Sequence, residues 1–537
     1  MTSWNYGDIL DGVDAIVPAD RIALIHGERV VPWRDFVHRT NNLARALLEI
    51  GARPGDKIAF YMRNRTEYSE GIAAAFKARL THVNVNYRYV DHELIYLLDN
   101  SDATIVMYAA EFAPRVGAIR AQLSKVRHWI EIADGHPSAA NVVEYEMLAG
   151  VGNGTRLDIE RSGDDMLFLY TGGTTGMPKG VMWRHEDLWI GTGAGGNPRI
   201  GVPPSADLAA YIERLRIETP PVNLPLPPMM HGTGLLSAVA AMTHGGTCVT
   251  LTARSFDADE ALMAIERHHV TATTIVGDAF ARPIVEALDR SQGRHDISSL
   301  RFVNSSGVMW TREIKARLLQ HNAELTLIDG FASSEALGLG SSVMTRDRAV
   351  DVARFVLGPT CKVFTEDHRE VQAGSGESGM VGVCGSLPVG YYKDAAKTER
   401  TFPIIDGVRY SIPGDWVRVE GDGTLTLLGR GSNCINTAGE KVYPEEVEEA
   451  LKAHPGVADA LVVGVADDRW GQAITAVVQL EPGTPFDEPA LQAFLRERIA
   501  GYKVPKRILA KPDLARAPNG KADYQHIREY AQAQLHE

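Results

Sequence analysis

A buried strand that runs straight into a loop of glycines, hydroxyls and one lysine constrains this chain more than any other feature. The run DMLFLYT at 165–171 is apolar enough for a buried strand, and GGTTGMPKG follows it without a break. Thr171, Gly172, Gly173, Thr174, Thr175 and Gly176 provide small residues and hydroxyls. Glycines let successive backbone N–H groups turn toward one anion, and hydroxyls add donors. Lys179 adds a compact positive charge suited to phosphate oxygens. The loop is not of the G-x-x-x-x-G-K-[ST] type, because Pro178 stands where a glycine would precede the lysine. A kinase or GTPase reading loses its main support there.

Strand-like and helix-like stretches alternate, which predicts an α/β fold. ATIVMYA at 103–109 reads as a second buried strand, TNNLARALLEI as an amphipathic helix, and Asp257 as the N-cap of a helix over DADEALMAIERHH. At 537 residues the chain exceeds one hydrophobic core, so at least two domains are expected. The boundary falls at GRGSNC, 429–434, giving domains 1–430 and 431–537. Beyond it lie a helix opened by Pro444 and two glutamates, two strands around a polar turn, and a helix over LQAFLRERIAGY. That is a small α+β domain of roughly a hundred residues.

The charge of -13, from 68 acidic and 55 basic residues, leaves no broad basic footprint for nucleic acid. Cys248, Cys361, Cys384 and Cys434 form no C-x-x-C pair, so no zinc or dithiol site is indicated, and their scatter fits a reducing compartment. No apolar run approaches the ~20 residues of a membrane span. A cytoplasmic protein with no integral membrane segment is expected. A homodimer is left open.

Further motifs follow in order: PLPPMMHGTG at 225–234, VNSSGVM at 303–309, DGFASSE at 329–335, YSIPGDWV at 410–417, GRGSNCINTAGEKVYPEEVE at 429–448, YKVPKR at 502–507 and LARAPNGKADYQHI at 514–527. Taken singly, His231, Glu335, Asp415 and Lys521 would read as structural or surface residues. As an ordered set, with the loop ending in Pro-Lys-Gly, they resemble the adenylate-forming superfamily: acyl-CoA synthetases, adenylation domains of peptide synthetases and beetle luciferases. The resemblance covers nearly the whole chain. It implies a large multi-sheet N-terminal domain and a small mobile α+β C-terminal domain.

The resemblance also implies roles. The 171–179 loop would hold the β- and γ-phosphates of ATP, and His231 would lie beside the reacting carboxylate. Ser306, Gly307 and Val308 would run along the adenine, with Asp329, Gly330, Phe331, Ala332 and Ser333 in the same nucleotide site and Phe331 stacked on the base. Ser334 would bond the α-phosphate and Glu335 would hold Mg²⁺. Asp415 would grip the ribose hydroxyls, and Arg430 would open the linker hinged at Ser432. Lys521 would bridge carboxylate and α-phosphate. After rotation of the small domain, Gly439, Glu440 and Lys441 would line a channel for coenzyme A. This sequence departs from the family pattern at Gly172 (usually Ser), Ala332 (Gly), Ser334 (Thr), Ser432 (Asp or Lys) and Asn436 (Lys).

The implied reaction joins a carboxylic acid to coenzyme A through an acyl-adenylate, with release of AMP and pyrophosphate. Gly330 replaces the bulky tryptophan of relatives restricted to very short acids, and no aspartate near His231 is placed to pair a substrate ammonium. MWRHEDL and GSNCIN with GEKVYPEEVE are most similar to bacterial fatty-acid and steroid-side-chain acyl-CoA synthetases. A medium-to-long or polycyclic hydrophobic acid is therefore expected. The rivals are an acyl-AMP ligase loading a carrier protein, a luciferase-like oxygenase, and a nucleotide-binding module without catalysis.

Overall fold

The α/β architecture that the alternating pattern predicts is present. The computed structural model describes residues 4–171, 177–308, 310–348, 354–430, 433, 435–437, 440–467, 471–499, 501–517 and 520–536. The chain divides into two compact units, Met1–Val350 with Cys384–Ser411, and Asp351–Val383 with Ile412–Glu537.

In the first unit, one sheet runs Ile22–His26, Thr247–Thr250, Val222–Pro225, Ala272–Ile275, Phe302–Ser306 and Thr326–Phe331, all parallel in that spatial order. A second runs Lys179–Arg184, Met166–Thr171, Thr81–Asn84, Lys57–Tyr61, Ala103–Ala109 and His128–Ile132. Among these six strands the pairing of Lys179–Arg184 with Met166–Thr171 is antiparallel and the others are parallel. Leu167 and Leu169 enter one hydrophobic cluster while Phe168 and Tyr170 enter another. A strand covered on both faces reads as a continuous apolar run, which is why DMLFLYT is so unbroken. Asp257 does cap Ala258–His268, accepting from the Glu260 amide at 3.0 Å.

The helix Thr66–Lys77 is buried along its whole length yet carries three charges. Each is paired, as burial demands. Lys77 Nζ donates to Asp14 at 2.7 Å, Asn41 at 2.9 Å and Thr40 at 3.0 Å. Glu70 accepts two bonds from Arg39 at 2.9 and 3.1 Å and one from the Tyr145 hydroxyl. Burial alone would raise the Glu67 carboxyl, but the hydrogen bond from Arg65 and the charges of Arg65 and Arg29 outweigh it and bring it from 4.5 to about 2. A lowered folded-state value stabilises above the unfolded value and loses that contribution as pH falls. Glu67→Gln should therefore cost on the order of 3 kcal/mol at pH 7. The gap to the parent should shrink as pH drops from about 5 toward 2, read by urea unfolding across that range.

The second unit holds the antiparallel strands Thr424–Arg430, Asp415–Val419 and Ser378–Cys384, flanked by Arg354–Leu357 and Cys361–Phe364. It also holds a sheet of Glu440–Val442, Ile435–Thr437, Gly471–Leu480 and Val457–Asp467, with Arg507–Ala510 parallel to Gly471–Leu480. Alternate residues of Val457–Asp467 serve two cores. Ala460 and Val462 pack with Val447, Leu451, Leu491 and Leu495, whereas Leu461, Val463 and Val465 pack with Leu514, Ile527 and Ala531. Pro444 does open its helix, Pro444–Lys452, with Glu445 and Glu446 in the first turn where the helix dipole favours them. The next helix differs from expectation, spanning Glu488–Arg496 rather than 491–502. Asp487 caps it by accepting from the Ala490 amide at 3.0 Å, and that starts it three residues early. The expected hinge, Ser432, lies outside the described residues. At Gly429, where φ is +115°, the Glu445 carboxylate occupies the place a Cβ would need.

Candidate active site

The loop's two legs form a hairpin in which Thr171 opposes Lys179 and Tyr170 opposes Gly180. Gly172, Gly173, Thr174, Thr175 and Gly176 lie outside the described residues. A Cβ on Gly180 would fall 2.6 Å from the Tyr170 ring, which accounts for the glycine after the lysine. Beside this leg the short strand Gly390–Tyr391 pairs antiparallel, Tyr391 with Val181, and the Tyr392 amide donates to the Gly180 carbonyl at 2.8 Å.

That pairing places three groups around the lysine leg. The Asp394 carboxylate bonds the Lys179 ammonium and also caps Ala395–Thr401 through the Lys397 amide at 3.0 Å. The hydrogen bond from Lys179 holds the Asp394 carboxyl below its usual range. The Tyr391 hydroxyl donates to Glu335 Oε1 at 2.7 Å. From the same leg, Trp183 Nε1 donates to the Ser334 carbonyl at 2.9 Å, while the Ser411 hydroxyl donates to the Glu335 carbonyl at 2.7 Å. Lys179, Ser334 and Glu335 are thus tied to one sheet edge. If Lys179 receives phosphate oxygens, as the sequence leads one to expect, they would have to displace Asp394, and a part-exposed pair of this kind is worth about 1 kcal/mol at most. Asp394→Asn, which keeps the cap, should lower the KM for ATP by up to about fivefold in initial-rate kinetics, with kcat little changed.

His231 is fixed from beneath. Asn84, buried, donates to the Tyr170 carbonyl at 2.8 Å and the Met230 carbonyl at 2.6 Å, and accepts from the Tyr170 amide at 2.7 Å. It clamps the strand before the phosphate loop to the residue before His231. His231 itself is the N-cap of Gly232–Thr243 and is partly exposed.

The segments expected to run along the adenine are adjacent parallel strands, with Ser305 opposite Asp329 and Ser306 opposite Gly330. Gly307 turns with φ +98° and is followed by Val308. Asp329 and Phe331 are buried. The Asp329 carboxylate meets Lys315 Nζ at 2.9 Å, so its side chain is committed to an internal ion pair. Ala332 is partly exposed. The buried Ser333 hydroxyl has no hydrogen-bond partner among the described residues, which leaves one donor in the segment for a ligand.

In the second unit Asp415 is buried and stands opposite Arg430 across an antiparallel ladder. Glu440 and Lys441 lie on the strand Glu440–Val442, and Gly439 lies outside the described residues. Lys521 is exposed; its carbonyl accepts from the Ala517 amide at 2.9 Å, closing a turn through Gly520 at φ +74°. Sequence reading missed Asn84, Tyr391 and Asp394. The stretch GYYKDAAKT, with an aspartate opening a helix, carried a readable signal for the last two.

Among the described residues no group of three or more His, Cys, Asp or Glu could hold a metal. A single carboxylate such as Glu335 still suits magnesium, which takes one or two carboxylates and completes its shell with phosphates and water. No described helix is long and apolar enough to cross a membrane.

A model of the AMP-binding enzyme family matches residues 14–390, and one of the AMP-binding enzyme C-terminal domain matches 446–521. The chain is 40% identical over 535 residues to a medium/long-chain-fatty-acid–CoA/3-oxocholest-4-en-26-oate–CoA ligase of Mycobacterium tuberculosis, covering 98% of this chain and 96% of that one. It is also 40% identical to a 3-oxocholest-4-en-26-oate–CoA ligase of Rhodococcus rhodochrous, covering 98% and 95%. Among solved structures, the anthranilate CoA ligase AuaEII in complex with anthranoyl-AMP superposes with a TM-score of 0.86 at 22% identity, over 100% of this chain and 99% of that one. That likeness establishes the fold.

Proposed function

Since the chain belongs to the AMP-binding enzyme family, we propose that it is an AMP-forming acyl-CoA synthetase acting on a medium- to long-chain or steroid-type hydrophobic acid. The observation that carries this reading is the sheet edge where Lys179, Ser334 and Glu335 meet through Tyr391 and Trp183. The names of relatives at 40% identity support the substrate class.

A carboxylate is a poor electrophile, so it first needs a leaving group. Its oxygen attacks the α-phosphorus of ATP, the bond to the bridging oxygen breaks, and pyrophosphate leaves as acyl-AMP forms. The thiolate of coenzyme A then attacks the acyl carbon and AMP departs. Most of the protein's task is positioning and neutralising charge around phosphorus. Lys179 and the loop amides hold the β- and γ-phosphates. Glu335, oriented by Tyr391, would hold Mg²⁺, which when bound neutralises phosphate charge. Ser334 bonds the α-phosphate, Phe331 lies against adenine, and His231 stands by the carboxylate. Asp415 grips the ribose, Lys521 serves the first half-reaction, and the Gly439-Glu440-Lys441 turn serves the second. On this reading the functional boundary lies at 430/431 and the site of action is the cytoplasm.

The test is a coupled assay over a panel of acids. Pyrophosphate should appear with ATP and a hydrophobic acid, and AMP should turn over only when coenzyme A is added. Best turnover of acetate or of an amino acid would sink the substrate class. Adenylate that passes only to a carrier protein would favour the acyl-AMP ligase instead.

A further inference from the structure

Among the described residues Arg199 is a cation without a counterpart. It sits in the turn Pro198–Ile200, inside a loop closed by the Asn197–Val202 bridge and by the Ser205 amide donating to Ala194 at 3.0 Å. Among the described residues no carboxylate pairs with its side chain and no hydrogen bond engages it, although most arginines of this chain are so engaged. The residue is exposed, so the guanidinium is open to an incoming group, while the atoms near it hold its pKa below the ordinary value.

Its position is specific. A Cβ placed on Gly330 would meet the Ser305 carbonyl at 3.5 Å and both terminal guanidinium nitrogens of Arg199 at 3.8 Å. The guanidinium therefore stands over the open face of Gly330. Gly330 and its neighbour Ser306 lie at the carboxyl ends of adjacent parallel strands, the end where open α/β sheets bind their ligands. Five residues on comes Glu335. An unpaired, planar, five-donor group at that place is matched to an oxygen acceptor that arrives with the substrate.

We propose that Arg199 is a specificity-determining residue, donating hydrogen bonds to a ketone or carboxylate oxygen carried on the acyl chain away from the reacting carboxylate. The proposal rests on the acyl-CoA synthetase reading above. A plain hydrocarbon tail would leave the guanidinium desolvated and unbonded, so the enzyme should discriminate against it.

The experiment compares kcat/KM for three series of acids of six to sixteen carbons: unsubstituted, terminal-keto and α,ω-dicarboxylic. The parent enzyme should favour one oxygenated series over the matched plain acid by at least about tenfold, and this preference should peak at one chain length, because the guanidinium stands at a fixed place. Arg199→Met should abolish the peak by lowering kcat/KM for the favoured oxygenated series and raising it for the plain acids; Arg199→Lys should retain part of the preference. The ketone and dicarboxylate arms tell which oxygen is read. A parent enzyme with no preference at any length, or an Arg199→Met variant that changes all three series by one factor or raises only the KM for ATP, overturns the proposal. If the methionine variant does not fold, a lysine variant with the parent's full preference does the same. Failure to activate any acid would instead reject the acyl-CoA synthetase reading itself.

Discussion

Replacing Lys521 by alanine should slow acyl-adenylate formation by about two to three orders of magnitude, the usual effect of removing one preorganised donor from a developing charge. The lysine is exposed and held in its turn by main-chain bonds through Ala517 and Gly520, so little stability should be lost with its side chain. The defect should be confined to one half-reaction. Supplied with acyl-AMP and coenzyme A, the variant should form thioester within a few-fold of the parent rate, because the attack is then on the acyl carbon and no bond to phosphorus forms or breaks. Quenched-flow measurement of the two steps separates the outcomes. An equal loss in both would make Lys521 structural, and no loss in either would remove it from the mechanism.

The largest stability effect is expected at Lys315→Met. Lys315 Nζ and the Asp329 carboxylate form a buried pair at 2.9 Å, with the ammonium 5.1 Å from the centre of the Trp310 ring. Removing the cation leaves a carboxylate stranded at the end of the strand that carries Phe331. Breaking a buried pair from one side costs about 3–5 kcal/mol, whereas replacing both partners by apolar groups is often close to neutral. Lys315→Met should lower the first urea transition by that amount, and adding Asp329→Leu should restore most of it. A single variant that unfolds like the parent would mean that the pair contributes nothing.

These two residues also show what could be read in the chain. Lys521 was legible because a glycine–lysine turn followed seven other motifs in a fixed order. Asp329 was legible as part of DGFASSE, but its partner was not: Lys315 reads as one more helix lysine until the helix Arg312–His321 is packed on the strand. Lys179 is similar. The loop around it announces phosphate binding, yet its partner Asp394 is 215 residues away, a distance that no local pattern spans. Strands such as Ala103–Ala109 and Met166–Thr171 were plain because burial on both faces leaves an unbroken apolar run. The polar clamp at Asn84 was hidden for the opposite reason, since a buried asparagine takes its meaning only from the carbonyls it bridges. The arginine over Gly330 had no signal at all, because only the folded loop brings residue 199 to residue 330.

Chemistry at the α-phosphorus can be followed by its oxygen. With a hydrophobic acid labelled with ¹⁸O in both carboxylate positions, together with ATP and coenzyme A, each turnover should place one ¹⁸O in AMP and none in pyrophosphate. Label in inorganic phosphate or pyrophosphate, or AMP released without label, would contradict attack by the carboxylate on the α-phosphate and with it the proposed role of this site.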